Sequence, residues 1–344
     1  MKIRMYIEIC SACNLRCKYC FEEGYDYKYI NEQQLFCFLR NFSSIIEDVV
    51  ITGGEPMLHP AFYDICEFTS KIAPIVITSN GTIIDYPKFE QLLRNHPNIK
   101  LQLSLDAIDE SFVTSVRGNG VYSKVIDAIN RLHSFHNQLG ISSTLTKQTP
   151  EMIESIYEFA KQYGITCYFP SILPYGALCK NWNEIMPNFE EYIKSERKMI
   201  ELVANDELGI IRSNKVDWIL SRYYYSEHHE VDFDNFESIL KIDSSGNILC
   251  CPATDTSYPS SRISTISSIQ SIQELYNKIR LGFECRSIGK QTECQECNAN
   301  KYCNSVFCGN CIHMNSNNSN ITKYICKSIR EHFNDIQQEM GSLQ

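Results

Sequence analysis

No stretch of the chain approaches the roughly 20 consecutive apolar residues needed for a bilayer-spanning helix. The N-terminus, MKIRMYIEIC, enters a strand-like alternation without the charged leader, apolar core and small-residue cleavage site of an export signal, so a cytoplasmic location is expected. Clusters of Lys and Arg are missing too. With a formal net charge of −9 this excludes an extended nucleic-acid surface and docking on acidic lipid, and it favours a neutral or basic partner. No coiled-coil heptad is present. Export being absent, the 17 cysteines have no oxidising compartment in which to form a disulfide framework. Metal ligation is the better explanation, and nine of them fall between Cys250 and Cys326.

Hydrophobic residues make up 43% of the 344, enough to bury one large domain and a smaller one. Strand-like runs at Ile3–Ile9, Asp48–Thr52, Ile75–Ser79, Lys100–Ser104, Gly140–Leu145 and Ile165–Phe169 alternate with amphipathic stretches. Those stretches lie at Glu32–Ile46, Ala61–Ile72, Lys88–Asn95, Tyr122–Asn137 and Pro150–Tyr163. The pattern predicts an α/β fold, a partial (β/α)6 TIM-like barrel with ligands at the carboxyl ends of its parallel strands. The barrel unit is expected over residues 1–236, with a core of about 1–170 and a helical extension from Pro187 to Leu220. A small cysteine-rich unit follows over 237–344, opening on a hairpin pattern with Gly246 at its turn and a helix around Ser271–Arg280. Its apolar content is too low for independent folding, so metal binding is expected to supply part of its stability.

Three thiols gather at the end of the first strand. Cys13, Cys17 and Cys20 stand as C-x3-C-x2-C, whereas a zinc site would pair C-x2-C with a second pair or with histidines. A four-iron cubane takes one ligand per iron, so three thiolates leave one iron open to a small molecule. TGGEP at Thr52–Pro56 closes the second strand: two glycines permit close backbone approach, and the Glu55 carboxylate can accept from an ammonium group. ITSNGT, LSLDA and SVRGNG follow at later strand ends.

Taken in this order, these segments resemble the radical S-adenosylmethionine (SAM) enzymes. The resemblance implies a [4Fe–4S] cluster on Cys13, Cys17 and Cys20 whose open iron chelates SAM. It also implies that Gly53, Gly54 and Glu55 hold the methionyl amine, that Ser79, Asn80, Ser104 and Asp106 contact ribose or carboxylate, that Arg117 faces the carboxylate and that Tyr19 packs near adenine. Read singly, the same residues would be turn formers, surface charges and a core aromatic.

The C-terminal region resembles the SPASM extension of these enzymes through C-x2-C-x5-C at Cys294, Cys297 and Cys303, the later Cys308, Cys311 and Cys326, and Gly246-x3-Cys250. This implies one or two auxiliary [4Fe–4S] clusters. Cys294, Cys297, Cys303 and Cys326 would hold the distal one. The chain departs from the pattern in having no cysteine between Cys179 and Cys250 and four residues between Cys303 and Cys308, which leaves Cys250, Cys251, Cys285, Cys308 and Cys311 for a proximal cluster. A zinc ribbon is the plain alternative for this region.

Cys251 occupies the place where sulfatase-maturing relatives carry an aspartate. It, or its neighbour Cys250, is read as a cluster ligand, as a hydrogen-atom donor to a substrate radical, or as an inert packing residue. The resemblance implies reductive SAM cleavage to a 5′-deoxyadenosyl radical, with a peptide or protein substrate, a flavodoxin- or ferredoxin-type electron donor and, since the chain opens directly on its first strand, a separate leader-binding protein or the barrel mouth for leader recognition. A ribosomal peptide would be crosslinked or epimerised. A sulfatase-maturase-like or small-molecule dehydrogenase reaction is the second reading. An iron–sulfur electron carrier or a zinc-binding protein is the third. Cys10, Cys37, Cys66, Cys167 and Cys179 have no motif context and are read as packing residues, and His228 and His229 as solvated.

Overall fold

The computed structural model describes residues 2–21, 26–170, 176–213, 238–249 and 261–284, with part of the stretch 324–338. Seven strands succeed one another in parallel and in chain order: β1 (Ile3–Cys10), β2 (Ile46–Gly53), β3 (Ile75–Ser79), β4 (Ile99–Ser104), β5 (Leu139–Ser142), β6 (Thr166–Phe169) and β7 (Ile211–Ser213). Helices α1 (Glu32–Phe42), α2 (Phe62–Ser70), α3 (Tyr86–Asn95), α4 (Glu110–Arg117), α5 (Val121–Arg131) and α6 (Pro150–Tyr163) fill the crossovers as far as β6, and α7 (Ala177–Ile185) and α8 (Phe189–Ala204) precede β7. This is the expected α/β barrel sheet, with helices covering one face.

Alternation along each strand divides the two faces. Ile3, Met5, Ile7 and Ile9 are fully buried with Val49, Ile51, Ile77, Leu101 and Ile141 under the helices. The opposite face is polar: Arg4 on β1 forms a bidentate pair with Asp48 on β2, with Nε to Oδ1 at 2.8 Å.

Local chemistry accounts for the helix starts. Asn31, Asp85, Asp109, Thr149 and Asn188 each accept an amide two or three residues into the following helix, and Pro150 occupies the first turn of α6. Helix α4 escaped the periodicity reading because it is one short turn-pair, cut off from α5 by Gly118 and Gly120, both at positive φ.

Other elements differ from expectation: α1 stops at Phe42, short of Ile46, which opens β2, and α5 stops at Arg131, short of Asn137. The helical extension ends at Ala204 instead of running to Leu220. Asp206 accepts from the amides of Leu208 and Ile211, Gly209 turns at φ +66°, and β7 results. The strand expected to reach Leu145 stops at Ser142, where the Ser143 amide donates to the Tyr168 carbonyl.

The hairpin with Gly246 at its turn (φ +80°) is formed by β8 (Ser238–Ile242) and β9 (Asn247–Leu249). Strand β8 does not start a separate sheet: it pairs in parallel with β1 from Ile3↔Ser238 to Ile7↔Ile242. Antiparallel β9 and β10 (Ser261–Arg262) continue the sheet outward, and α9 (Ile269–Glu284) covers the predicted Ser271–Arg280 helix. The boundary placed near Phe236 lies outside the described residues.

The buried ion pair of Glu8 and Lys241, at 2.5 Å, ties β1 to β8 on the polar face. Helical residues between 324 and 338 pack on α8: Ser328 donates to buried Glu196, and Arg197 pairs with Asp335. Among the described residues no helix is long and apolar enough to cross a membrane.

Candidate active site around the cysteine loop

The loop after β1 carries Cys13, Cys17 and Cys20, all half-buried, and its backbone is pinned from three sides. From β2, the amides of Gly54 and Glu55 donate to the carbonyls of Cys10 and Ala12 at 2.8 and 2.7 Å. From α4, the Val116 carbonyl accepts from the Lys18 amide at 3.0 Å. From α7, the Ala177 amide donates to the Cys20 carbonyl, and Asn181 Nδ2 donates to the Lys18 carbonyl.

The glycines explain how the backbones come so close. A β-carbon on Gly53 or Gly54 would sit 2.2 Å from the carbonyl oxygen of Cys10 or Ala12, respectively. Gly176, at φ +64°, makes the same kind of approach from the other side: a β-carbon there would lie 2.4 Å from the Phe21 carbonyl oxygen. Nothing in its sequence neighbourhood singled out Gly176. The close approach the two Thr52–Pro56 glycines were expected to make is, in the structure, an approach to the cysteine loop itself.

Glu55 is fully buried behind this loop. Its Oε1 accepts from Ser79 Oγ (2.9 Å) and the Met57 amide (3.1 Å), and its Oε2 from the Asn80 amide (2.7 Å). Burial pushes its carboxyl up to about 7, against the opposing pull of these donors. The consequence for stability has a definite sign. Between the ordinary carboxyl value of 4.5 and about 7 the folded chain holds a proton that the unfolded chain has released, so stability falls as pH rises through that window. In cluster-free protein, wild type is expected to lose on the order of 3 kcal/mol between pH 4.5 and pH 7.5 relative to Glu55→Gln. Urea unfolding of both across that range checks it, and parallel curves would refute it.

On the other flank Asp106, fully buried at the end of β4, organises Arg117 and Tyr19. Arg117 Nε and Nη2 grip its two carboxylate oxygens at 2.6 and 3.1 Å, and Tyr19 donates its hydroxyl to Oδ2 at 2.6 Å. The Thr144 amide adds a donor to Oδ1, while Ser143 and Gln148 donate to the Asp106 backbone carbonyl. The Arg117 guanidinium also lies over the Tyr19 ring, 5.2 Å from its centre. Sequence reading named Asp106, Arg117 and Tyr19 separately. It missed that they form one network, and it missed Ser143, Thr144 and Gln148, the first two because they fell inside the strand expected to run to Leu145. Ser104 sits half-buried at the end of β4 beside Ser142.

Burial pushes the Cys13 and Cys17 thiols up, with Arg117 opposing it at Cys17, so ligation would release protons. The donor set fits a cubane: three thiols, one per iron, on a loop held by its backbone. Among the described residues no three His, Cys, Asp or Glu side chains are disposed to hold a single metal ion. Cys10, Cys66 and Cys167 are buried as packing residues, with Cys10 donating to the Glu55 carbonyl at 3.2 Å, whereas Cys179 is half-buried and Cys37 is exposed. Of the C-terminal cysteines, Cys326 lies half-buried in the helical residues that pack on α8. Cys250, Cys251, Cys285, Cys294, Cys297, Cys303, Cys308 and Cys311 lie outside the described residues, as do His228 and His229.

Residues 7–160 match the family model of the Radical SAM superfamily. The chain is 26% identical over 206 residues to a GTP 3′,8-cyclase of Clostridium acetobutylicum, which covers 57% of this chain and 64% of the relative. It is 24% identical over 189 residues to the mycofactocin maturase MftC of Mycolicibacterium smegmatis, covering 54% and 48%. The chain thus spans between about half and just under two thirds of these curated relatives. In fold it resembles anSMEcpe, solved with bound AdoMet and the Cp18Cys peptide, with a TM-score of 0.73, 17% identity and full coverage of both chains. Domains of this superfamily use a [4Fe–4S] cluster and SAM. With its three-cysteine loop clamped between the Gly53-Gly54-Glu55 turn and the Asp106–Arg117 pair, the segment over residues 7–160 is a radical SAM domain.

Proposed function

We propose that this chain is a radical SAM enzyme that abstracts hydrogen from a residue of a peptide or protein. The observation that carries the reading is the charge arrangement at the loop: a buried carboxylate, Glu55, on one flank of three cysteines and a buried guanidinium, Arg117, on the other. The methionyl end of SAM is a zwitterion, and these flanks are complementary to its ammonium and its carboxylate. Cys13, Cys17 and Cys20 would hold the [4Fe–4S] cluster. When bound, cluster and SAM supply reductive cleavage to a 5′-deoxyadenosyl radical, the hydrogen-abstracting species. The chain's own residues bind, orient and exclude water: Ser79 and the Asn80 amide fix the Glu55 carboxylate, Asp106 and Tyr19 fix Arg117, and Ser104 faces the polar side of the sheet near the same strand ends.

A peptide substrate is supported by MftC and by the peptide-bound relative in fold, and by a net charge of −9 that disfavours a nucleoside triphosphate. In this reading Cys294, Cys297, Cys303 and Cys326 hold a distal auxiliary cluster, with Cys250, Cys308 and Cys311 available for a proximal one. Cys251 or Cys250 serves as ligand or as hydrogen donor for epimerisation. A flavodoxin- or ferredoxin-type protein delivers the electron, and a separate protein or the barrel mouth recognises a leader peptide. The sequence matches to GTP 3′,8-cyclases favour one alternative, a small-molecule reaction on GTP.

The test is anaerobic reconstitution with iron and sulfide, followed by incubation with SAM and dithionite in the presence or absence of GTP. Formation of 5′-deoxyadenosine without GTP consumption is expected. GTP-dependent turnover would replace the peptide reading, and a fully iron-loaded protein that leaves SAM intact would overturn the enzymatic one.

A further inference from the structure

Asn80, read as a SAM contact, is held by a set of side-chain hydrogen bonds of its own. Its Oδ1 accepts from the Thr82 amide (3.0 Å), a donor whose identity is beyond question, and this fixes which end of the carboxamide is Nδ2. That Nδ2 donates to Asn14 Oδ1 (2.9 Å). Asn14 Nδ2 donates to Thr82 Oγ1 (2.8 Å), and the Thr82 hydroxyl returns to Asn80 Oδ1 (2.6 Å). Three side chains thus close a ring of hydrogen bonds spanning the cysteine loop and the end of β3. The same Asn80 Nδ2 stands 4.0 Å from Cys13 Sγ, which also receives the Leu15 amide at 3.4 Å. On the opposite flank Arg117 Nη1 stands 4.0 Å from Cys17 Sγ, held there by the Asp106 grip on its other nitrogens.

We propose that Asn80, locked by the Asn14–Thr82 ring, sets the reduction potential of the [4Fe–4S] cluster by donating an N–H to the Cys13 thiolate, with Arg117 as its counterpart at Cys17. This rests on the cluster assignment made above. The physical basis is charge. One electron taken from an external reductant adds one negative charge to the cluster and its thiolates, and donors aimed at the sulfurs stabilise that reduced form more than the oxidised one. Contacts of 4.0 Å to neutral thiols shorten when the sulfurs become thiolates, because charge-assisted hydrogen bonds are shorter and stronger. Arg117 is also assigned to the SAM carboxylate, so the neutral Asn80 is the cleaner probe.

The experiment is a redox titration of the full-length, reconstituted protein without SAM, followed by electron paramagnetic resonance. The loop cluster is identified as the signal that SAM perturbs and that a Cys13/Cys17/Cys20→Ala variant lacks. In Asn80→Leu the reduced-to-oxidised ratio at a fixed potential should fall about tenfold, equivalent to about 59 mV for a one-electron couple. Asn80→Asp, which sets a carboxylate oxygen where the N–H was, should fall further. Thr82→Val, which opens the ring without touching the cluster, should fall by less in the same direction. Variants with full cluster content and the wild-type midpoint, or a raised one, would overturn the proposal. If Asn80→Leu assembles no cluster, Asn80→Asp and Thr82→Val decide it. A SAM-perturbed signal that survives in the Cys13/Cys17/Cys20→Ala variant would instead remove the cluster assignment, and the proposal with it.

Discussion

Replacing Cys13, Cys17 and Cys20 together by alanine is expected to remove about four irons per chain and to reduce 5′-deoxyadenosine formation by at least about 1,000-fold, since the electron reaches SAM only through that cluster. The fold should survive. The three thiols are half-buried and the loop is anchored by backbone hydrogen bonds from Gly54, Glu55, Lys18 and Ala177, none of which uses a sulfur. The cost to the cluster-free protein should therefore stay below about 2 kcal/mol, within the range of ordinary point substitutions. Iron analysis, product chromatography and urea unfolding measured on one preparation separate these effects. Product formation that persists in the triple variant would place SAM cleavage elsewhere in the chain.

Gly54→Ala should be the most disruptive change of a single methyl group at the site. The added carbon meets the Ala12 carbonyl oxygen at 2.2 Å, its carbon at 2.6 Å and the Ser11 carbonyl oxygen at 2.7 Å. All three are backbone atoms and cannot rotate away. The end of β2 must separate from the cysteine loop, losing the Gly54–Cys10 and Glu55–Ala12 hydrogen bonds at about 1 kcal/mol each. With overpacking the total comes to about 3–5 kcal/mol. The loss also drags Glu55 and the loop out of register, so iron uptake should fall in parallel. Gly120→Ala is the control: its φ of +72° costs strain, but nothing lies within 4 Å of the added carbon. Its penalty should be about 1–2 kcal/mol, with cluster content unchanged. Equal losses for the two variants in denaturant titrations would refute the steric account.

Local signals carried much of this site. The spacing of Cys13, Cys17 and Cys20, the Gly53-Gly54-Glu55 turn and the βα alternation are all short-range features, and β3 and α6 matched their expected bounds residue for residue. What escaped was non-local. The parallel pairing of β8 with β1 joins positions 235 apart in sequence, and no periodicity within β8 reveals its partner. The Asn14–Asn80–Thr82 ring and the Asp106–Arg117–Tyr19 network depend on loops brought together only by the sheet. Strand β7 was hidden because Ile210 and Ile211 continue the apolar spacing of α8, and only the Asp206–Gly209 turn separates them.

The placement of β8 also governs how the chain is made. As synthesis proceeds, β2 emerges soon after β1 and covers one of its edges, but the stretch Ile3–Ile7 of the other edge awaits β8, which begins at residue 238. Through most of translation β1 is therefore a bare template for strand addition by a second nascent chain. Its polar face carries Arg4 and Glu8, and the buried Glu8–Lys241 pair closes that edge once β8 is in place. Fragments released before residue 238 are therefore expected to associate through this edge more readily than chains that carry β8, which gel filtration of the two would show.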